Sequence, residues 1–174
     1  MRLAVLGLKL GKQVIVVIEK LSELELLLKA AKEAAVKPMI GLRIKLQTQG
    51  SGKWRSSTGH FAKFGLTTPE ILAAVETLKA EGLSDCLKLV HFHIGSQVCD
   101  IRTIKDAVKE GARYYAKLRK LGLGVEYLDC GGGLGVDYDG THTAVDSSMN
   151  YNLREYVSDV VYSVQEVCMQ EKVP

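Results

Sequence analysis

The chain alternates between short apolar segments and longer amphipathic segments, and this rhythm constrains its fold more than any other feature. Four runs rich in Val, Ile and Leu have the length of strands, at residues 13–18, 39–46, 87–94 and 125–130. A helical pattern of apolar residues follows each run. Strands that are apolar on both faces and joined by helices are typical of parallel sheets, because the crossover helices cover the faces. The sequence therefore predicts an α/β protein, either an open doubly wound sheet or a (β/α) barrel.

The helix boundaries are predicted from capping residues. Ser22 and Glu25 have capping-box spacing at the first helix, and Asn152 and Glu155 form a capping pair at the last. The two helices between them are predicted at 68–81 and 103–121. The residues predicted to face inwards are Leu24, Leu27, Leu28, Ala31 and Ala35, then Ile71, Leu72, Val75 and Leu78, then Ile104, Ala107, Val108, Tyr115 and Leu118, and finally Leu153, Val157, Val160, Val164 and Cys168.

The two ends of the sequence suggest a larger whole. A helical segment at 3–10 precedes the first strand, and the sequence stops directly after a helix, where a strand would come next. Four strand-helix units alone would leave an open sheet edge and uncovered apolar surface, so we expect part of a longer protein. Two polar loops, at 47–62 and 138–150, interrupt the rhythm, and loops of this length are usually either mobile or functional.

Composition excludes several classes of partner. The 23 basic and 20 acidic residues leave a net charge of +3, too small and dispersed to predict binding to nucleic acid or to an anionic membrane. The four cysteines show neither the spacing of a zinc site nor a C-x-x-C pair, so reduced thiols in the cytoplasm are expected. The apolar N-terminal run has neither the length of a membrane span nor a cleavage site.

Two histidines and a serine mark the end of the third predicted strand. His91 and His93 are two residues apart, so in a strand they would share one face. Either would ordinarily be a hydrogen-bonded core residue. The rival hypothesis is a metal-dependent hydrolase with an H-x-H zinc pair, but His60 and His142, the other histidines, fall in loops and make a poor ligand set.

A glycine cluster ends the fourth predicted strand. Gly131, Gly132, Gly133 and Gly135 leave the backbone N–H groups unobstructed, as a phosphate or another anion requires. The alternatives are a tight turn or a nucleotide or S-adenosylmethionine site. A nucleotide or S-adenosylmethionine site needs a helix that begins directly after the glycines, and Val-Asp-Tyr-Asp-Gly follows instead. With Ser96 at the neighbouring strand end, the glycines predict a phosphate cup beside His93.

These motifs together resemble a known family. His-Phe-His-Ile-Gly-Ser-Gln at 91–97, Gly-Gly-Gly-Leu-Gly-Val-Asp-Tyr-Asp-Gly at 131–140, Gly-Leu-Arg-Ile at 41–44 and Lys-Phe-Gly-Leu-Thr at 63–67 are similar to the pyridoxal-phosphate barrel of the basic amino acid decarboxylases. The continuation after the glycines most resembles the biosynthetic arginine branch. The resemblance covers essentially the whole chain. It implies about four consecutive units of an eight-unit, TIM-type (β/α) barrel, with residues 1–174 inside the cofactor-binding domain and a C-terminal β domain outside the chain.

The resemblance also implies the site. Its cofactor-binding set is His93, Ser96, Gly131, Gly132, Gly133, Asp129, Gly135 and Arg43. In this set the histidine stacks on the ring of pyridoxal 5′-phosphate, the serine and the three consecutive glycines bind its phosphate, and the other three residues flank the site. The family further implies L-arginine as the small-molecule substrate, agmatine and carbon dioxide as products in polyamine biosynthesis, a homo-oligomer, and Mg²⁺ as a second cofactor. No protein-derived metal site is assigned.

The chain also departs from the family pattern. The family's Schiff-base lysine occurs in a Pro-x-Lys context, and no lysine of this sequence does. The acidic partner of the pyridine nitrogen belongs to a Glu-Ser-Gly-Arg-like segment that is absent here, so no catalytic residue is assigned and the chain alone is expected to be inactive. The alternatives are a decarboxylase for ornithine, diaminopimelate or carboxynorspermidine, a non-catalytic barrel, or the metal hydrolase.

Overall fold

The structure is a computed structural model that describes residues 1–48 and 63–174. His60 and most of the predicted loop 47–62 lie outside the described residues. The helices and strands are α1 (Arg2–Lys9), β1 (Ile15–Ile18), α2 (Leu21–Ala34), β2 (Met39–Arg43), α3 (Thr68–Ala80), a 3₁₀ turn (Ser84–Cys86), β3 (Leu87–His91), α4 (Ile101–Lys120), β4 (Tyr127–Asp129) and α5 (Leu153–Glu171). Among the described residues, no helix combines the length and apolar character needed to span a membrane.

The chain forms two compact units. The first, which we call the sheet unit, comprises Met1–Ile44, Phe64–His91 and Leu118–Asp129. The second, the loop unit, comprises Lys45–Lys63, Phe92–Lys117 and Cys130–Pro174. All four strands belong to the sheet unit, and the segments into which β3 and β4 continue belong to the loop unit.

The sheet has the topology of a partial (β/α) barrel. Its four strands are parallel and lie in the order β1-β2-β3-β4, with Ile18 beside Leu42 and Leu42 beside Val90. These three side chains are fully buried. A doubly wound sheet would reverse its strand order at a switch point, whereas consecutive barrel units add neighbours in sequence. The prediction of four consecutive barrel units is therefore confirmed, and the open doubly wound alternative is wrong.

The strands are shorter than predicted. The third was expected to reach residue 94 but ends at His91, although Phe92 and Ile94 are 1% and 6% exposed. The second ends at Arg43 instead of residue 46. In both places the run of apolar residues continues beyond the residues that pair in the sheet. The sequence overestimates the strand length because burial in a loop produces the same local pattern as burial in a strand.

The cap and the last predicted core residue of α2 differ from expectation. The helix begins at Leu21, and the carboxylate of Glu23 accepts hydrogen bonds from the N–H groups of Glu19 (2.7 Å) and Lys20 (3.1 Å). The predicted pair Ser22 and Glu25 therefore lies too late in the helix to cap it. Ala35 was predicted to face inwards, but it ends the helix with φ of +54° and is exposed.

The inward stripe of α5 is rotated from its predicted position. Leu153 and Val157 were expected in the core, yet their side chains are 67% and 51% exposed, whereas Ser163 and Val167 are buried. In α3 the same error affects Leu72, which is 49% exposed. Periodicity locates an apolar stripe, but the neighbouring elements decide which side of it is covered. The capping pair at Asn152 is confirmed, since its Oδ1 accepts from the N–H of Glu155 at 3.0 Å.

Candidate cofactor site

The glycine cluster of the loop unit packs its backbone directly against the segment that follows β3. Gly131 and Gly133 have φ of +69° and +93°, in the left-handed region that side chains disfavour. A Cβ atom on Gly133 would lie 1.8 Å from the carbonyl oxygen of Gly95, and one on Gly131 would lie 2.6 Å from that of Phe92. Glycine is therefore required at both positions for the two segments to approach this closely.

Gly132 occupies a different environment from its neighbours. A Cβ atom there would meet no other atom within 4 Å, and the residue is exposed. Its N–H points towards Nδ1 of His93, 3.4 Å away, and the imidazole ring of His93 is itself exposed. The distance is long for a hydrogen bond. The middle glycine thus lies on the open side of the cluster, next to the predicted ring-stacking histidine.

Ser96 lies beside the same cluster. Its Cα atom would be 3.3 Å from a Cβ on Gly133, and the residue is exposed. With Gln97, Tyr138, Asp146 and Ser147 it lines an open cleft of about 510 Å³. The structure therefore brings the serine, the histidine and the glycines of the predicted set together in one unit.

Two side chains missed at the sequence level bridge these segments. Tyr151 is 4% exposed, and its hydroxyl accepts from the N–H of Gly135 (2.8 Å) and donates to the carbonyl oxygen of Val98 (2.7 Å). The side-chain amide of Gln97 contacts the backbone of Val136 through both of its polar atoms. The sequence offered one signal for Tyr151, because this aromatic residue lies directly between the polar loop 138–150 and the helix cap at Asn152.

The polar loop 138–150 is cross-linked by its own side chains. The Asp139 carboxylate accepts hydrogen bonds from Oγ of Ser147 and from the N–H and hydroxyl of Thr141. These bonds lower the pKa of Asp139 to about 2, and the bond from Ser147 has the largest effect. The Asp137 carboxylate accepts from Oγ of Ser148, which is fully buried. The loop is therefore held by local hydrogen bonds between short polar side chains.

The other two predicted site residues, Arg43 and Asp129, belong to the sheet unit. Arg43, His91 and Asp129 are the last residues of β2, β3 and β4 and stand next to one another in the register. The Arg43 guanidinium forms an ion pair with Glu19 and lies 5.3 Å from the ring centre of Phe64. Nδ1 of His91 lies 3.0 Å from Oδ2 of Asp129. These residues form a polar row at the carboxyl ends of the strands.

The two histidines do not form a strand pair. The prediction that His91 and His93 share one strand face is wrong, because β3 ends at His91 and His93 lies in the loop unit. The His91 side chain is 18% exposed. Within residues 1–48 and 63–174, no three His, Cys, Asp or Glu side chains are grouped as metal ligands.

The match to a protein family tests the metal-hydrolase alternative. The model of the pyridoxal-dependent decarboxylases, for their pyridoxal binding domain, matches residues 6–173. The chain belongs to the pyridoxal-dependent decarboxylases. The family match overturns the metal-hydrolase alternative.

Several relatives within this family are named biosynthetic arginine decarboxylases. The biosynthetic arginine decarboxylase of Rhodopirellula baltica is 53% identical over 173 residues, which are 99% of this chain and 26% of that protein. The Vibrio cholerae enzyme of the same name is 52% identical over 96% of this chain and 26% of its own length. The chain thus spans about a quarter of the length of the curated relatives it matches.

Solved structures agree in fold. The biosynthetic arginine decarboxylase of Campylobacter jejuni is 34% identical with a TM-score of 0.83, over 98% of this chain and 27% of that one. Diaminopimelate decarboxylase from Helicobacter pylori, complexed with L-lysine, is 27% identical with a TM-score of 0.74, over 93% of this chain and 39% of that one. The partial barrel is therefore the architecture of pyridoxal-dependent decarboxylases.

Proposed function

We propose that this chain is the pyridoxal-phosphate-binding part of an arginine decarboxylase, which converts L-arginine to agmatine and carbon dioxide. The observation that carries the proposal is the 53% identity to the R. baltica arginine decarboxylase across 99% of the chain. The diaminopimelate decarboxylase of H. pylori is 27% identical. We further propose that residues 1–174 lie in one barrel domain.

The residues of the loop unit fit the cofactor. Gly131 and Gly133 hold the backbone close to the segment after β3, and the exposed Gly132, whose N–H lies 3.4 Å from Nδ1 of His93, leaves room for a phosphate to approach the backbone there. The Ser96 hydroxyl adds a donor, and the exposed ring of His93 offers a flat face on which a pyridine ring can stack. Phosphate at the glycines and aromatic ring at the histidine is the arrangement that this geometry supports best.

Two residues of the sheet unit belong to the cofactor-binding set that the family resemblance implies. Asp129 precedes the glycine cluster in the chain, and we propose that it and Gly135 flank the phosphate-binding segment. Arg43 is held by Glu19 and Phe64, so its guanidinium has a defined position at the end of β2. We propose, from the family resemblance, that this guanidinium lies near the bound cofactor.

Bound pyridoxal phosphate supplies an electron sink for the electron pair left when carbon dioxide departs. The chain's own residues bind and orient that group, but its sequence contains no lysine in a Pro-x-Lys context for covalent attachment. We therefore expect the 174-residue chain by itself to bind the cofactor weakly and to have no decarboxylase activity.

The proposal extends to a homo-oligomeric enzyme of the cytoplasm. The described residues include all four cysteines and no disulfide bond between them, as a reducing compartment allows. Mg²⁺ belongs to the proposal through the family resemblance alone; among the described residues, no three His, Cys, Asp or Glu side chains are grouped as metal ligands.

Two chimaeras test the proposed function. In one, this chain replaces the matching segment of the R. baltica arginine decarboxylase, and in the other the matching segment of the H. pylori diaminopimelate decarboxylase. Each is assayed with L-arginine, L-ornithine, meso-diaminopimelate and carboxynorspermidine. We expect the first to form agmatine and the second to be impaired, because the chain is 53% identical to the arginine enzyme and 27% identical to the diaminopimelate enzyme. An inert first chimaera beside an active second one would refute the arginine assignment. Agmatine from the isolated chain would refute the expected inactivity.

A further inference from the structure

The phosphate-binding segments of the loop unit are joined by a short ladder of hydrogen bonds. The N–H of Val98 donates to the carbonyl oxygen of Gly133 at 3.0 Å, and Val98 and Leu134 pair as an isolated parallel bridge. Ser96 lies two residues before this bridge, and Gly132 lies two residues before Leu134. The bridge therefore helps to determine how far the serine hydroxyl lies from the backbone of the middle glycine.

The Tyr151 hydroxyl extends the ladder on one side. It accepts a hydrogen bond from the N–H of Gly135 and donates one to the carbonyl oxygen of Val98, so one oxygen atom links both segments. Burial raises the pKa of Tyr151, and the hydrogen bond from the N–H of Gly135 opposes this rise without cancelling it. The hydroxyl therefore stays protonated and can donate its hydrogen bond. Gly135 is packed tightly here, since a Cβ on it would lie 2.8 Å from Cβ of Met149.

The Gln97 amide extends the ladder on the other side. Its Nε2 donates to the carbonyl oxygen of Val136 at 2.7 Å, and its Oε1 accepts the N–H of the same residue at 2.9 Å. Gln97 adopts a φ of +53°, which is unfavourable for a residue with a side chain. Such a conformation persists where the surrounding contacts determine it, and the paired amide contact is suited to do so.

We propose that Tyr151 and Gln97 are positioning residues that hold the glycine cluster against Ser96 and thereby set the affinity for the phosphate group of the cofactor. This inference rests on the proposed function. Neither side chain needs to touch the phosphate, because both act through the backbone of residues 133–136. If Tyr151 had a merely structural role, replacing it would lower the overall stability and would weaken the binding of phosphorylated and unphosphorylated ligands equally.

The test measures the phosphate contribution alone. The purified full chain is titrated by calorimetry with 4′-deoxypyridoxine 5′-phosphate and with 4-deoxypyridoxine, which carry no aldehyde and so cannot react with surface lysines. We expect the wild-type chain to prefer the phosphorylated probe. In Tyr151→Phe this preference should fall about threefold to tenfold, the effect of losing one net hydrogen bond, while affinity for the unphosphorylated probe stays unchanged.

Two further variants make the test decisive. Gln97→Asn keeps an amide and tolerates the positive φ, but it shortens the reach to Val136, so the same preference should fall. Tyr115→Phe is the matched control, because it also removes one tyrosine hydroxyl bond, to the carbonyl oxygen of Pro174, and should leave both affinities unchanged. If Tyr151→Phe does not fold, as judged by circular dichroism, Gln97→Asn alone decides.

The outcomes separate this inference from the proposed function. If the wild-type chain binds neither probe, cofactor binding by this chain is refuted, and the positioning role with it. If the wild-type chain prefers the phosphorylated probe and both variants keep that preference, cofactor binding stands and the positioning role is refuted. Equal losses for both probes would likewise refute it, because they indicate a general loss of structure.

Discussion

Replacing Gly133 by alanine should separate the glycine cluster from the segment that follows β3. The residue has φ of +93°, and an alanine in the left-handed region costs about 1 to 2 kcal/mol. The new Cβ would lie 1.8 Å from the carbonyl oxygen of Gly95, whereas real Cβ contacts essentially never fall below 3.0 Å. The backbones must therefore move apart, which costs roughly a further 1 to 3 kcal/mol in a packed region.

Urea unfolding of the purified chain measures this effect. We expect Gly133→Ala to lower the free energy of unfolding by about 2 to 5 kcal/mol at an unchanged m-value. Gly140 has φ of +74° with no atom within 4 Å of the added Cβ, so Gly140→Ala should show only the conformational cost of about 1 to 2 kcal/mol. Gly132→Ala has neither problem and should change stability by less than about 0.5 kcal/mol.

Two outcomes of these unfolding measurements would refute the reasoning. If Gly133→Ala is no more destabilising than Gly140→Ala, the close approach to Gly95 does not exist in solution. If Gly132→Ala is as destabilising as Gly133→Ala, the middle glycine is not on the open side of the cluster, and its N–H cannot be presented to a phosphate.

Three further predictions concern the loop unit. Gly111→Ala gains helix propensity, but its Cβ would lie 2.3 Å from the ring of Phe92, so we expect a net loss of roughly 1 to 2 kcal/mol in urea unfolding; a more stable variant would contradict that packing. Asn152→Ala removes the cap of α5 and should cost about 0.5 to 2 kcal/mol, whereas a change near zero in thermal unfolding would show that the cap is unimportant. Because the pKa of Asp139 is lowered to about 2, its ionised form contributes stability that is present above its ordinary value and lost as the pH falls towards 2. Ser147→Ala should raise the pKa of Asp139, as followed by NMR titration, and an unchanged pKa would rule out the Ser147 hydrogen bond as its main cause.

The sequence predicted the parts of the site that depend on local chemistry. Consecutive glycines at 131–133 remove side chains whatever surrounds them, and the structure places two of them in conformations that only glycine adopts easily. The proximity of Ser96 to this cluster also followed from the parallel alternation, since neighbouring parallel strands end at the same edge. The roles of these residues towards the cofactor stay predictions.

The sequence did not predict where each strand stops. The run from 87 to 94 is apolar throughout, but only its first five residues pair with the neighbouring strands. His91 therefore lies beside Asp129 in the sheet, while His93 lies beside Gly132 in the loop unit. Strand pairing depends on partners far along the chain, and no window of eight residues contains that information.

The sequence by itself determined the alternation of strands and helices and the run of glycines after the fourth strand, because hydrophobic periodicity and backbone sterics act within a few residues. The tertiary structure decided which face of α5 is covered and which side chains join the glycine cluster to the segment after β3. The hydroxyl of Tyr151 reaches the carbonyl oxygen of Val98 across 53 residues of sequence. Contacts of this kind exist only when folding brings distant segments together, and the burial of each side chain follows from the same long-range packing.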